Sequence, residues 1–156
     1  MGTNRFYIRH AAKKVQEKCG KERWHDEADF MFWSVRWTSI INEKLGLQEY
    51  RVIEEGLCGR TTVFDDPFRE GRRGTQLFPT LLETHRLLDC IVIMLGTNDC
   101  KTVYGASAGV IAKGVEKLIE QAQRFAKDTP ILLISPIHLG EGVWEKGFDT
   151  EFNENS

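Results

Sequence analysis

The sequence predicts an α/β fold: a parallel sheet with helices packed on its faces. Two kinds of pattern carry that prediction. Ile91-Val92-Ile93-Met94-Leu95 is an unbroken apolar run, rich in β-branched residues and too short for a buried helix. Such a run suits a strand covered on both faces, as in a parallel sheet. Ile131-Leu132-Leu133-Ile134 repeats the pattern, and residues 50–55 give a third strand around Val52 and Ile53. Between the runs the periodicity turns helical: Ile111, Val115, Leu118, Ile119, Ala122 and Phe125 fall on one face of residues 109–126. The order strand, helix, strand, helix, strand implies parallel strands joined by right-handed crossovers.

At 156 residues the chain is long enough for one substantial core. The formal net charge is -2 and the pI about 6.1, with both signs interspersed. That balance points away from nucleic acid and from an anionic membrane surface, and no apolar stretch approaches the length of a membrane span. Arg5, Arg9, His10, Lys13 and Lys14 interrupt the N-terminal region, which therefore lacks the apolar core of a signal peptide. Cys19, Cys58, Cys90 and Cys100 show no Cys-x-x-Cys spacing. Reduced thiols and a cytoplasmic setting are expected, with no metal and no cofactor.

Taken in order, Phe6 and Ile8 alternate with Arg5, Tyr7 and Arg9, a weak strand signal. Ala12, Val15 and Cys19 then share a helical face ahead of Gly20, which places His10 at the start of a helix. Phe30-Met31-Phe32-Trp33 forms a dense apolar patch. Trp37, Ile40, Ile41 and Leu45 recur at helical spacing, with Gly46 as the stop. Residues 65–74 read as a long surface loop beside a strand end, a place where substrates are often selected. Leu77, Leu81 and Leu82 mark a helix leading into the strand at 90–95. After residue 139 the chain is Gly- and acid-rich, without an expected core element.

The chemistry concentrates where strands end, because ligand crevices of open α/β sheets lie beyond the carboxyl ends of the strands. Gly96-Thr97-Asn98-Asp99 follows one strand and Gly56-Leu57-Cys58-Gly59-Arg60-Thr61-Thr62 another. An Asn amide and free main-chain N–H groups there can donate to a developing oxyanion. The alternative is an ordinary turn, with Asn98 and Asp99 bonding only their own backbone.

Together with Arg36-Trp37-Thr38 and Ile134-Ser135-Pro136, these motifs resemble the SGNH (GDSL-type) hydrolases, nearest to bacterial arylesterases and lysophospholipase-like acyl hydrolases. The resemblance runs over about residues 35–153 and sets apart a divergent N-terminal segment, 1–34. It implies a flavodoxin-like sheet, here incomplete and truncated at its C-terminal end. It also implies a small ester or acyl substrate, with self-association left open. In that family a Ser nucleophile works with an Asp-x-x-His pair, and a Gly N–H and an Asn amide form the oxyanion hole. The resemblance assigns these two roles to Gly59, with Gly56 as the fallback, and to Asn98. Cys58, Arg60, Thr97 and His138 are the expected substrate contacts.

The sequence departs from the family pattern at both catalytic ends. It contains neither a Gly-Asp-Ser motif nor an Asp-x-x-His pair. Ser34 lies in the aromatic patch and Ser39 within an expected helix, and neither stands on a strand-to-helix elbow. His138 follows a strand but has no visible partner; His25 and His85 are expected in solvent. Cys58 would need a base to become nucleophilic. The expected activity is weak or absent. The competing expectation is a non-catalytic acyl-binding or partner-docking module on the same fold. The nucleophile-bearing central strand is missing by motif, and the charged segment 5–9 is expected to fill its place poorly.

Overall fold

The computed structural model describes residues 4–10, 36–45, 50–136, 138–140, 143, 151–154 and 156, with 4–10 described as backbone only. The expectations for Cys19, His25, the aromatic patch at 30–33, Ser34 and Gly46 lie outside the described residues.

Four parallel strands form one sheet in the order β2-β1-β3-β4: β1 (Asn4–His10), β2 (Tyr50–Glu54), β3 (Cys90–Met94) and β4 (Ile131–Leu133). The helices are α1 (Trp37–Leu45), α2 (Gly74–Thr84) and α3 (Ala108–Phe125). The apolar runs therefore become strands, and the amphipathic stretches become the helices between them. Ser107 caps α3, its hydroxyl accepting the Val110 N–H.

Two apolar layers sandwich the sheet. On one side Phe78 and Leu82 of α2 and Leu118 and Ala122 of α3 close on Ile91 and Ile93. On the other side Trp37, Ile41 and Leu45 of α1 pack on Val52 and Val92. Asn42 of α1 is buried and its side-chain carbonyl accepts the Val52 N–H at 2.8 Å, fixing α1 against β2. Glu54 accepts from Arg36 and from the Thr38 hydroxyl, which gives the Arg36-Trp37-Thr38 motif a structural role.

Four expectations are corrected. His10 is the last residue of β1 and starts no helix. The segment around Arg5–Arg9 occupies the central slot, in register with β2 from Asn4↔Tyr50 to Ile8↔Glu54 and with β3 from Phe6↔Cys90 to His10↔Met94. Its backbone groups complete both ladders, so charged side chains did not prevent the pairing. β4 was expected to be buried on both faces, yet it is the edge strand; Leu132 is 53% and Leu133 50% exposed. His85, expected in solvent, is half-buried and pairs with Glu55 at 2.8 Å.

Candidate functional site

Two loops leave the same edge of the sheet. One follows the carboxyl end of β2 and carries residues 56–62. The other follows β3, where Gly96, at φ 130°, turns the chain into a short 3-10 turn, Thr97–Cys100. Because β2 and β3 are parallel and flank β1, both loops reach one crevice edge, as strand-end geometry requires.

Asn98 Nδ2 donates to the Arg60 carbonyl at 3.0 Å. One amide hydrogen is thus committed to the neighbouring loop and orients the side chain, while the amide retains a second hydrogen to donate. Asp99 is fully buried and holds the next step of the same loop: its carboxylate accepts the Thr62 N–H at 3.0 and 3.1 Å, and the Thr62 hydroxyl as well. Burial pushes the Asp99 carboxyl up, and the two Thr62 donors work against that rise. Asn98 and Asp99 therefore clamp residues 60 and 62 across a gap of nearly forty positions, instead of bonding only their own turn.

Helix α3 closes on the clamp. A Cβ at Gly114 would stand 2.1 Å from Thr62 Oγ1 and 2.9 Å from Thr62 Cβ, so only glycine lets the helix approach this closely. Gly59 is buried with φ 78°, a conformation that favours glycine, and the Arg69 guanidinium lies over it.

The remaining candidates separate. Arg60 is 3% exposed and donates through Nη1 to the Gly71 carbonyl at 2.9 Å, tying the 56–62 loop to the 65–74 loop from behind. Cys58 and Thr97 are half-buried at the rim. His138 is exposed and, among the described residues, has no hydrogen bond to either loop. Ser39 is fully buried inside α1, away from any strand-to-helix elbow.

The local sequence pattern did not disclose an ionic cluster beside Gly59. The Asp66 side chain, 1% exposed, accepts both Nε and Nη2 of Arg69 at 3.2 and 2.9 Å. Lys101, 2% exposed, reaches Glu151 at 2.7 Å and Asp66 at 3.8 Å. Burial alone would raise the Asp66 carboxyl, but the Phe68 N–H, Arg69 and Lys101 outweigh it and hold it below the usual carboxylate range. Tyr104 stacks on Phe64 beside this cluster, and burial together with the surrounding carboxylates pushes its phenol up to about 12. A run of alternating charge at 65–73 was the only visible hint, and it reads equally well as a solvated loop.

This arrangement of parallel strands, helical layers and paired strand-end loops is that of the SGNH hydrolases. The family model of the GDSL-like lipase/acylhydrolase family matches residues 23–154, and the chain belongs to that family. Solved structures agree. One is 34% identical with a TM-score of 0.78, covering 99% of this chain and 72% of its own. The inhibitor-bound M. smegmatis aryl esterase is 32% identical with a TM-score of 0.68, covering 86% of this chain and 64% of the esterase. Est24, a carbohydrate acetylesterase from Sinorhizobium meliloti, is 29% identical with a TM-score of 0.71, covering 94% of this chain and 73% of Est24. No curated protein sequence matches. Among the described residues no helix is long and apolar enough to cross a membrane.

Proposed function

We propose that the chain is a carboxylic ester hydrolase domain for acyl or aryl esters that keeps its oxyanion-binding half and lacks its nucleophilic half. The supporting observation is the Asn98–Arg60 bond, which ties the Asn98 amide to the residue that follows Gly59. An ester carbonyl oxygen at that point gains charge as it is attacked. The Gly59 N–H and the second hydrogen of Asn98 are the donors that hold it, and they need no reorganisation during the reaction. Thr97 and Cys58 border the ester, His138 lies at the outer rim, and Arg60 supports the glycine loop. Residues 35–153 carry this machinery, and residues 1–34 supply β1.

The sequence offers no Gly-Asp-Ser motif for the attack. The residues after β1 are Ala11, Ala12, Lys13 and Lys14, which offer neither hydroxyl nor thiol. Losing one oxyanion donor costs about 10²–10³ in rate, whereas losing the nucleophile or its base costs about 10⁶ in a studied serine hydrolase. Turnover is therefore expected near background.

A second reading rests on the half-exposed Leu132 and Leu133 of β4, the edge strand among the described residues: a non-catalytic acyl-binding or partner-docking module. One experiment separates the two, 4-nitrophenyl acetate hydrolysis alongside labelling by a fluorophosphonate probe. Slow hydrolysis above background that Asn98→Ala removes supports the residual esterase. Hydrolysis at background with no label leaves the module. Stoichiometric labelling would contradict both by revealing an activated serine.

A further inference from the structure

A cavity of about 550 Å3 opens under the 65–74 loop, lined among others by Asp65, Asp66, Arg69, Arg72 and Arg73. Its residues are charged but not equivalent. Asp66 Oδ1 accepts the N–H groups of Phe68 and Arg69 at 2.9 and 3.0 Å, while Oδ2 takes the Arg69 fork. Its acceptor capacity is filled from behind. Asp65 is 70% exposed and paired with Arg73, so water screens it.

The arginines differ. Asp66 engages the Nε and Nη2 edge of Arg69 and the Glu151 carboxylate stands 3.7 Å from Nη2, while Nη1 has no hydrogen-bond partner among the described residues. That guanidinium lies against Gly59, with Nη1 3.2 Å from where a glycine Cβ would stand. Arg72 gives Nη1 to the Glu70 carbonyl at 2.8 Å, and no described carboxylate pairs with it. The cavity therefore offers donors on two arginines, one of them held rigidly at the candidate ester site. Charge-assisted bonds from oriented guanidinium groups favour anionic oxygen ligands over neutral ones.

We infer that this cavity is an anion subsite adjoining Gly59, so the esters that fit the chain carry a carboxylate or phosphate group. The inference rests on the placement of the ester at Gly59 and Asn98.

Calorimetric titration of the full 156-residue chain with amide analogues tests binding without needing turnover. Acetanilide is the neutral probe, 4-acetamidobenzoate the carboxylate and 4-acetamidophenyl phosphate the phosphate. At least one anionic probe is expected to bind about tenfold tighter than acetanilide, with the preference shrinking as salt rises, and the better of the two identifies the anion. Arg69→Gln is expected to abolish the preference and Arg69→Lys to retain part of it. Should Arg69→Gln fail to fold, Arg72→Gln is expected to reduce the preference while leaving the Asp66–Arg69 pair intact. Equal binding of all three probes would overturn the anion subsite and leave the ester-site reading standing. Binding of none would overturn both.

Discussion

Thr62 shows how one short side chain can join three elements. Its N–H and hydroxyl satisfy the buried Asp99 carboxylate, and its Oγ1 sits in the hollow above Gly114 of α3. An Ala at an exposed helix interior normally improves on Gly by about 1 kcal/mol. Here the sign reverses, because the atom in the way is fixed by Asp99 and cannot rotate aside. Gly114→Ala should therefore lower stability by about 1–3 kcal/mol, the usual cost of overpacking, read as a reduced urea midpoint. A rise in midpoint would mean that Thr62 yields freely and that the clamp is weak. Asp99 was visible in the sequence as a turn residue and Thr62 as the end of the 56–62 strand-end motif. Their partnership was not, since they lie 37 positions apart and no local pattern encodes that contact.

The 65–74 loop is held by ionic contacts more than by apolar burial, and its pH response follows from Asp66. That carboxyl titrates below its ordinary value in the folded chain. A depressed acid contributes stability above its unfolded pKa of about 3.9 and loses it as pH falls through the folded value. On acidification below about pH 4 the 65–74 loop should open before the sheet does. Amide exchange in residues 66–73 should rise while β3 stays protected; simultaneous loss of both would show that the cluster is not a local latch. Elements such as β3 and α3 were legible because a two-face-buried strand and an amphipathic helix write their burial directly into the sequence. β4 carried the same apolar signature yet stands at an edge among the described residues, because a run of isoleucines and leucines does not say what covers it. The strand β1 was nearly illegible for the opposite reason, since its side chains contradict its position.

That contradiction bears on the stability of the whole domain. Removing a central strand leaves two rows of backbone groups without partners, each costing about 1–3 kcal/mol if buried, against a total stability of about 5–15 kcal/mol. β1 supplies those partners. Strand alternation, however, places Tyr7 and Arg9 at register positions beside Ile53, Ile91 and Ile93, on the face that packs against α2 and α3. Phe6 and Ile8 stand in register with Val52 and with Cys90 and Val92, on the face that carries α1. Arg5 stands beside Arg51, a like-charge pair across the ladder. The backbone is thus satisfied by a strand of charged sequence, while apolar β4 is the edge of the sheet among the described residues. The purified chain should accordingly unfold at low urea and aggregate near its transition. Arg9→Val, which replaces a charge with a β-branched apolar residue at the position in register with Ile93, should raise the midpoint, with a gain on the order of 1–2 kcal/mol, followed by circular dichroism. A lower midpoint in Arg9→Val would show that the arginine is anchored by a partner and that β1 is native to its slot in side chain as well as backbone.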